Sequence, residues 1–319
     1  MNRSPISPRH RMWSSAAAFA ALASLALTSC AAEGSEQDEV SEDQAEGIEE
    51  AQTVEHAMGS TEIPDQPERV VVLEINLLDT AMALGVVPAG AALIVNTDEL
   101  PDYLGEDVQD IASVGSITEP SLEQIADLDP DLILGAKSRH EDLYDTFSDI
   151  APTVFVESPG GDWRSSIRTV GEALGVPDTA DALLADYDER TAEVKEDMDL
   201  AGLTAQVIRP REAGAVRLYG PDTFTGDVLS DLGFEIPEQD WEDNGILEIS
   251  SENVGDLAAD RVFVSSDPTT PDLPDWTMDL LEGTDSEIHH VDHEVWIAGV
   301  GPLGAQEIIA EVEEILSQP

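Results

Sequence analysis

Ser121-Leu122-Glu123-Gln124-Ile125-Ala126-Asp127-Leu128-Asp129-Pro130-Asp131-Leu132-Ile133 is answered, 129 positions further on, by Ser250-Ser251-Glu252-Asn253-Val254-Gly255-Asp256-Leu257-Ala258-Ala259-Asp260-Arg261-Val262. Serine, glutamate, a β-branched residue, aspartate, leucine and a second aspartate recur in step. Each copy predicts a short helix capped by serine, a turn, and then a buried strand. A second echo in the same order pairs Ala83-Leu84-Gly85 with Asp231-Leu232-Gly233. Each is a helix end stopped by glycine and followed by a proline, Pro88 or Pro237. Two echoes in order predict a duplicated architecture.

Around these segments, short β-branched runs alternate with helical stretches, which predicts an α/β fold. Strands are expected at 70–73, 91–95, 131–134 and 153–156 in the first half. In the second they are expected at 205–208, 216–219, 261–264 and 288–291. The resulting reading is two Rossmann-like α/β lobes, 53–168 and 201–319, joined by a linking helical segment at 169–200. Within that segment no Gly or Pro interrupts Asp178 to Leu200, and Ala182, Leu183, Ala185, Tyr187, Ala192, Val194 and Met198 recur at near-helical spacing. One helix of roughly 30 Å would be a stiff spine, leaving a cleft between the lobes that closes little.

The 319 residues carry 68 acidic side chains against 14 basic ones, a net charge of −54. Such a surface repels phosphate backbones, which excludes a nucleic-acid partner. Lysine is confined to Lys137 and Lys195, a pattern that suits a high-salt habitat where mobile ions screen self-repulsion. Arg3, Arg9 and Arg11 precede a twelve-residue apolar run, Ala16 to Leu27, too short to span a bilayer comfortably and suited to a signal-peptide core. It ends Leu27-Thr28-Ser29-Cys30, which has the form of a bacterial lipobox. Residues 1–29 therefore read as a lipoprotein signal peptide, and Cys30, the sole cysteine, as the lipidated residue that anchors the chain to the outer face of the cell membrane. Residues 30–52 follow as an acidic tether without the apolar groups needed to fold.

Several segments in order, Ile63-Pro64 with Pro67-Glu68-Arg69-Val70-Val71, Pro130 to Ile133, Ile150 to Val154, Arg217 to Gly220 and Trp296 with Gly299-Val300-Gly301-Pro302, resemble the iron–siderophore receptors of bacterial ABC importers. This helical-backbone group includes ferrichrome, ferric-citrate and cobalamin binders, and the likeness runs from Thr53 to the C-terminus. It implies a monomeric receptor with no covalent cofactor, a ferric siderophore complex held between the lobes, and delivery to an ABC permease. Haem, cobalamin or a free metal ion are the alternative ligands on the same fold. No Gly-rich phosphate loop, Gly-x-Ser-x-Gly elbow or second cysteine is present, so the chain reads as a binding protein, not an enzyme.

Ligands of open α/β sheets gather beyond the carboxyl ends of the strands, and ferric siderophores are usually anionic. The ligand-binding candidates are therefore Arg139 and His140 from the first lobe, and Arg209, Arg217 and Tyr219 from the second, with Arg211 a weaker one. A guanidinium stays charged and forks onto carboxylate or catecholate oxygens. The resemblance adds Trp296 as a cleft aromatic; Trp241 is a weaker candidate. Ferrichrome-type members carry an arginine in a Gly-x-Arg-x-Glu-Pro loop, where this chain has Gly115-Ser116-Ile117-Thr118-Glu119-Pro120. Ile117 argues against a hydroxamate ligand, and the Lys137-Ser138-Arg139-His140 loop resembles the ferric-citrate branch. Glu123 and Glu252, one per lobe, sit where a first-turn glutamate complements a helix dipole; in the family such a pair docks onto permease arginines. His289, His290 and His293 have metal-ligand spacing, but on a strand neighbouring side chains point to opposite faces, so no metal site is expected.

Overall fold

In each of the two large sheets the strand that comes first in the chain lies at the centre. The computed structural model describes residues 51–64, 66–198, 200–211, 214–256, 259–265 and 285–317. The signal peptide, Cys30 and the tether up to residue 50 lie outside them. A hairpin comes first, β1 (Ala51–His56) and β2 (Gly59–Pro64), so Ala51 and Gln52 are strand where tether was expected. A six-stranded sheet follows, built from β3 (Val70–Val72), β4 (Gly90–Leu93), β5 (Ala112–Ser116), β6 (Glu119–Pro120), β7 (Leu132–Ala136) and β8 (Thr153–Val156). Its helices are α1 (Ile75–Ala83), α2 (Leu122–Asp127), α3 (Lys137–His140), α4 (Tyr144–Ser148) and α5 (Trp163–Ala173). The long helix α6 (Pro177–Asp197) leads to β9 (Ala205–Pro210), β10 (Ala215–Tyr219), α7 (Phe224–Leu232), β11 (Ile246–Ser250), β12 (Arg261–Ser265), β13 (Glu287–Val291) and α8 (Pro302–Ser317).

The spatial order β5-β4-β3-β7-β8 in the first sheet is repeated, position for position, by β11-β10-β9-β12-β13 in the second. What differs is one connection. Helix α1 carries the chain from β3 to a parallel β4, whereas β9 turns directly into an antiparallel β10. The echoed helix ends therefore belong to α1, before the second strand, and to α7, after it.

The sequence repeat itself encodes a clamp on strand placement. Asp131, just ahead of β7, accepts backbone N–H bonds from Glu68 (2.9 Å) and Arg69 (2.8 Å), which lead into β3. Its counterpart Asp260, just ahead of β12, accepts the N–H and the hydroxyl of Thr204, both at 2.8 Å, which lead into β9. The expected serine cap is present on α2, where Ser121 accepts from the Gln124 N–H. In the second copy a 3-10 turn, Ser251–Asp256, replaces the α-helix.

Strand side chains alternate between two cores, as a sheet covered on both faces requires. Val71, Leu73, Ile133 and Phe155 pack on the outer side of the first sheet, and Ile208, Val216, Val262 and Val264 on that of the second. Val70, Val72, Leu132 and Leu134 join Val207 and Phe263 in one continuous core that α1, α5, α6, α7 and α8 share. Helix α6 buries Ala180, Leu184, Tyr187, Thr191 and Val194, spaced four and three apart. The expected stripe overlaps this face only at Tyr187 and Val194, because Ala182, Ala185 and Ala192 are small enough to stand exposed; the helix also begins at Pro177 and ends at Asp197.

Three polar contacts tie helices together across this core. Asp79 on α1 is fully buried, and its two oxygens accept the N–H groups of Leu303 (2.8 Å) and Gly304 (2.9 Å) at the start of α8. A Cβ on Gly301 would stand 2.4 Å from the Asp79 carboxyl carbon, so glycine is needed there to admit it. Arg164 on α5 bridges Asp227 and Asp231 on α7, and Tyr187 on α6 donates to the same Asp231 (2.9 Å). Arg190 on α6 pairs with Glu313 on α8. Among the described residues no helix is long and apolar enough to cross a membrane.

Candidate functional site

Between the two sheets lie two cavities that share Arg139, Pro159, Arg209, Ile297 and Val300 in their walls, and so form one cleft. The larger, of about 700 Å³, is walled by Arg217, Tyr219, Phe224 and Ile246. The smaller, of about 490 Å³, reaches α1 at Glu74, Ile75 and Asn76, with Ile94, Ile117, Arg211 and His293 around it. Outside residues 1–29 the chain has eleven lysines and arginines. Four of them, Arg139, Arg209, Arg211 and Arg217, line this cleft.

Two of the four are placed against electrostatic preference. The hairpin sets Arg209 on β9 and Arg217 on β10 as register partners, like charges directly opposite one another. The next partner along the row is Glu248 on β11, whose Oε1 accepts from Arg217 at 2.6 Å. That bond holds the exposed Glu248 carboxyl below its ordinary pKa and raises that of Arg217, against the burial that opposes it. Tyr219, two residues on from Arg217 and so on the same face, is nearly buried beside it.

Arg139 is set differently. Its Nε donates to Glu74 Oε1 at 2.5 Å, and Glu74 is only 3% exposed. Burial pushes the Glu74 carboxyl up to about 7, against the pull of the Arg139 charge and hydrogen bond. With Nε held, Arg139 is oriented by a buried partner on the neighbouring strand's end. The segment 137–140, expected as a loop, is a single helical turn.

His140 does not join the cleft. Its ring is 2% exposed, bonded through Nε2 to the Ile117 carbonyl (2.8 Å) and packed edge-on against Phe147. It supports Ile117, which does face the smaller cavity in the place of the ferrichrome-type arginine. Trp296 borders the larger cavity, yet its side chain is fully buried: the ring stacks on Phe263 at 4.7 Å and Nε1 donates to Glu311. Trp241 packs over Gly220 outside both cavities. The histidines diverge, as strand geometry predicts. His289 lies against Phe263, His290 is exposed, and His293 is buried with Nδ1 beside Ser265 Oγ. Among the described residues no cluster of His, Cys, Asp or Glu is placed to hold a metal ion.

Glu74, Asn76 and Phe224 were not legible as cleft residues. Glu74 and Asn76 flank the β3–α1 junction, at the carboxyl end of a strand, but neither carries the positive charge that marks a site for an anionic ligand. Glu123 and Glu252 are both exposed, in the first turns that follow Ser121 and Ser250.

Residues 70–284 match the model of a family described as periplasmic binding protein. The chain belongs to the periplasmic binding protein family. The probable siderophore-binding lipoprotein YfiY of Bacillus subtilis is 33% identical, over 92% of this chain and 94% of its own. The Fe(3+)-citrate-binding protein YfmC of the same organism is 27% identical over 75% of this chain and 77% of its own. Among solved structures, Staphylococcus aureus SirA complexed with staphyloferrin B superposes with a TM-score of 0.73 at 31% identity, covering 83% of this chain and 98% of SirA. SirA thus shares the fold described above.

Proposed function

We propose that this chain is an extracytoplasmic receptor that captures a ferric siderophore, of carboxylate or citrate type, and delivers it to the permease of an ABC importer. The observation that carries the reading is the Arg209–Arg217 pair facing Arg139 across the cleft. A fold gains nothing from opposing like charges, and a chain this acidic has few cations to spare. An anionic chelate seated between the three guanidiniums would relieve their repulsion and accept from their forked donors. The names of the relatives support the iron chelate as cargo. Tyr219 gives the chelate an aromatic wall. Lipidation at Cys30 would hold the receptor at the membrane, and Glu123 and Glu252 would dock it on the permease.

The test is a titration of tryptophan fluorescence with ferric citrate, ferric staphyloferrin B, a ferric hydroxamate, a ferric catecholate, haem, cobalamin and zinc. Saturable quenching by a carboxylate-type ferric chelate, lost in Arg139→Ala and in Arg217→Ala, is the expected result. A response confined to haem, cobalamin or zinc would replace the cargo, and silence across the panel would remove the receptor reading.

A further inference from the structure

The smaller cavity holds a polar group that the cationic reading of the cleft leaves unused. Asn76 stands in the first turn of α1 and lines this cavity, yet it is only 3% exposed. Its Oδ1 is buried with no hydrogen-bond partner among the described residues. A buried acceptor left unmatched is costly, and such atoms are rare in folded proteins. Glu74 beside it already has Oε1 committed to Arg139. Consecutive residues Glu74, Ile75 and Asn76 make up the wall, so α1 begins at the cavity with Asn76 at its edge.

Iron-binding oxygens are acceptors, and they match the arginines; they cannot satisfy another acceptor. Only an N–H or O–H outside the coordinating set can. We propose that the α1 end of the cleft is a subsite for a pendant hydrogen-bond donor on the chelate, a hydroxyl or an N–H not bound to iron, received by Asn76 Oδ1. This rests on the receptor reading above. The cleft then has two compartments with different tasks. The larger, walled by Tyr219, Phe224 and Ile246, seats the iron core, while the smaller selects among chelates by their free donor. A chelate lacking that donor would bury Asn76 unpaired, which is how a polar site rejects a near-isostere.

The test uses the chain from residue 30 onward carrying Cys30→Ser, with the ferric and gallium(III) complexes of staphyloferrin B and of citrate. Asn76→Leu keeps the volume and removes the acceptor. It is expected to weaken the tighter of the two chelates about tenfold or more, as loss of one buried hydrogen bond does. In the wild type, the Asn76 side-chain amide resonances, assigned by through-bond correlation to the residue's own backbone, are expected to move when the diamagnetic gallium complex is added. This second readout decides the matter even where the variant fails to fold. Wild-type binding with stationary Asn76 signals overturns the subsite and leaves the receptor reading intact. A wild-type chain that binds none of the ferric chelates removes both.

Discussion

Arg209 and Arg217 are cross-strand partners on β9 and β10, and the side chain that relieves Arg217 is the exposed Glu248, one strand further out. Opposed like charges on a sheet cost a few tenths to about 1 kcal/mol. The placement is one that stability alone would not select. Function and folding therefore pull apart at these positions, and the two can be measured separately.

Arg209→Gln removes the like charge opposite Arg217, which offsets part of the contacts it gives up, so the apo-protein's unfolding midpoint is expected to fall by no more than about 4 °C. The same change should weaken an anionic ferric chelate about tenfold or more, since it removes a charge-assisted donor. Calorimetric melting and fluorescence titration check the two halves. A large loss of stability with intact affinity would make Arg209 a structural residue.

Asp79 should show a pH signature. Burial pushes its carboxyl up to about 7 from an ordinary value of 3.8, although the Leu303 and Gly304 amides oppose the shift. Between about pH 4 and 7 the native state then holds more protons than the unfolded chain, so this group's contribution to stability falls as pH rises through that window. Asp79→Asn cannot titrate. It is expected to destabilise by about 1–3 kcal/mol at pH 5, where one of two amide bonds is lost, and by less at pH 8. Urea unfolding of both proteins at the two pH values gives the difference. A penalty that grows with pH would show that the two amides hold Asp79 ionised.

The duplicated layout was legible because it is written in local chemistry. Ser121, Asp131 and Asp260 act within a few residues of where they stand, or on the start of the adjoining strand, and a sequence comparison finds them. Eight strands were located from their β-branched runs. The hairpin β1–β2 carries no β-branched apolar run to mark it: only Val54 and Ile63 are buried, among polar neighbours such as Thr53, Glu55 and Glu62. Strands β5 and β11 were missed because Ser113, Gly115 and Glu248 break the apolar pattern. In the cleft, Arg139, Arg209 and Arg217 were found by charge and position. His140 belongs to the core, and Trp296 borders the larger cavity while lying fully buried, since burial is a tertiary property that residue type does not fix. Asp79 and Arg164 gave no signal at all: their partners lie across the core, 224 positions away for Leu303 and 63 or 67 for the two aspartates.

The charge balance makes a prediction of its own. Residues 30–319 carry −57, because the first 29 residues hold three arginines and no acid. At about 0.1 M salt the screening length is near 10 Å, and at 1 M it is near 3 Å. Self-repulsion of the folded surface should weaken across that range. The exposed ion pairs that salt also weakens, such as Arg69–Asp129 and Arg168–Asp181, are worth little to begin with. The unfolding midpoint is therefore expected to rise from 0.1 M to 2 M sodium chloride. An unchanged midpoint would detach the acidic surface from any high-salt habitat.

His56 fixes the hairpin that the sequence concealed. Its Nδ1 accepts the backbone N–H groups of Met58 and Phe155, both at 3.3 Å, while Nε2 lies 2.9 Å from Thr61 Oγ1. Two N–H donors on Nδ1 require that nitrogen to be unprotonated, so the neutral ring carries its hydrogen on Nε2 and donates to Thr61. Protonation would set an N–H against two others. Burial lowers the His56 pKa from 6.5, and the neighbouring Glu55 charge opposes that only in part. A histidine whose folded pKa is depressed supplies stability that is present above its ordinary value and lost as pH falls through the folded one. The Phe155 amide should therefore be well protected from hydrogen exchange at pH 7.5. After correction for intrinsic rates its protection should drop by about tenfold or more at pH 5. In His56→Gln, whose carboxamide does not titrate there, protection should be lower at pH 7.5 and show no further drop at pH 5. Equal protection of the wild-type amide at both pH values would mean that the hairpin is held by β1–β2 pairing and its packing on β8, with His56 a passenger.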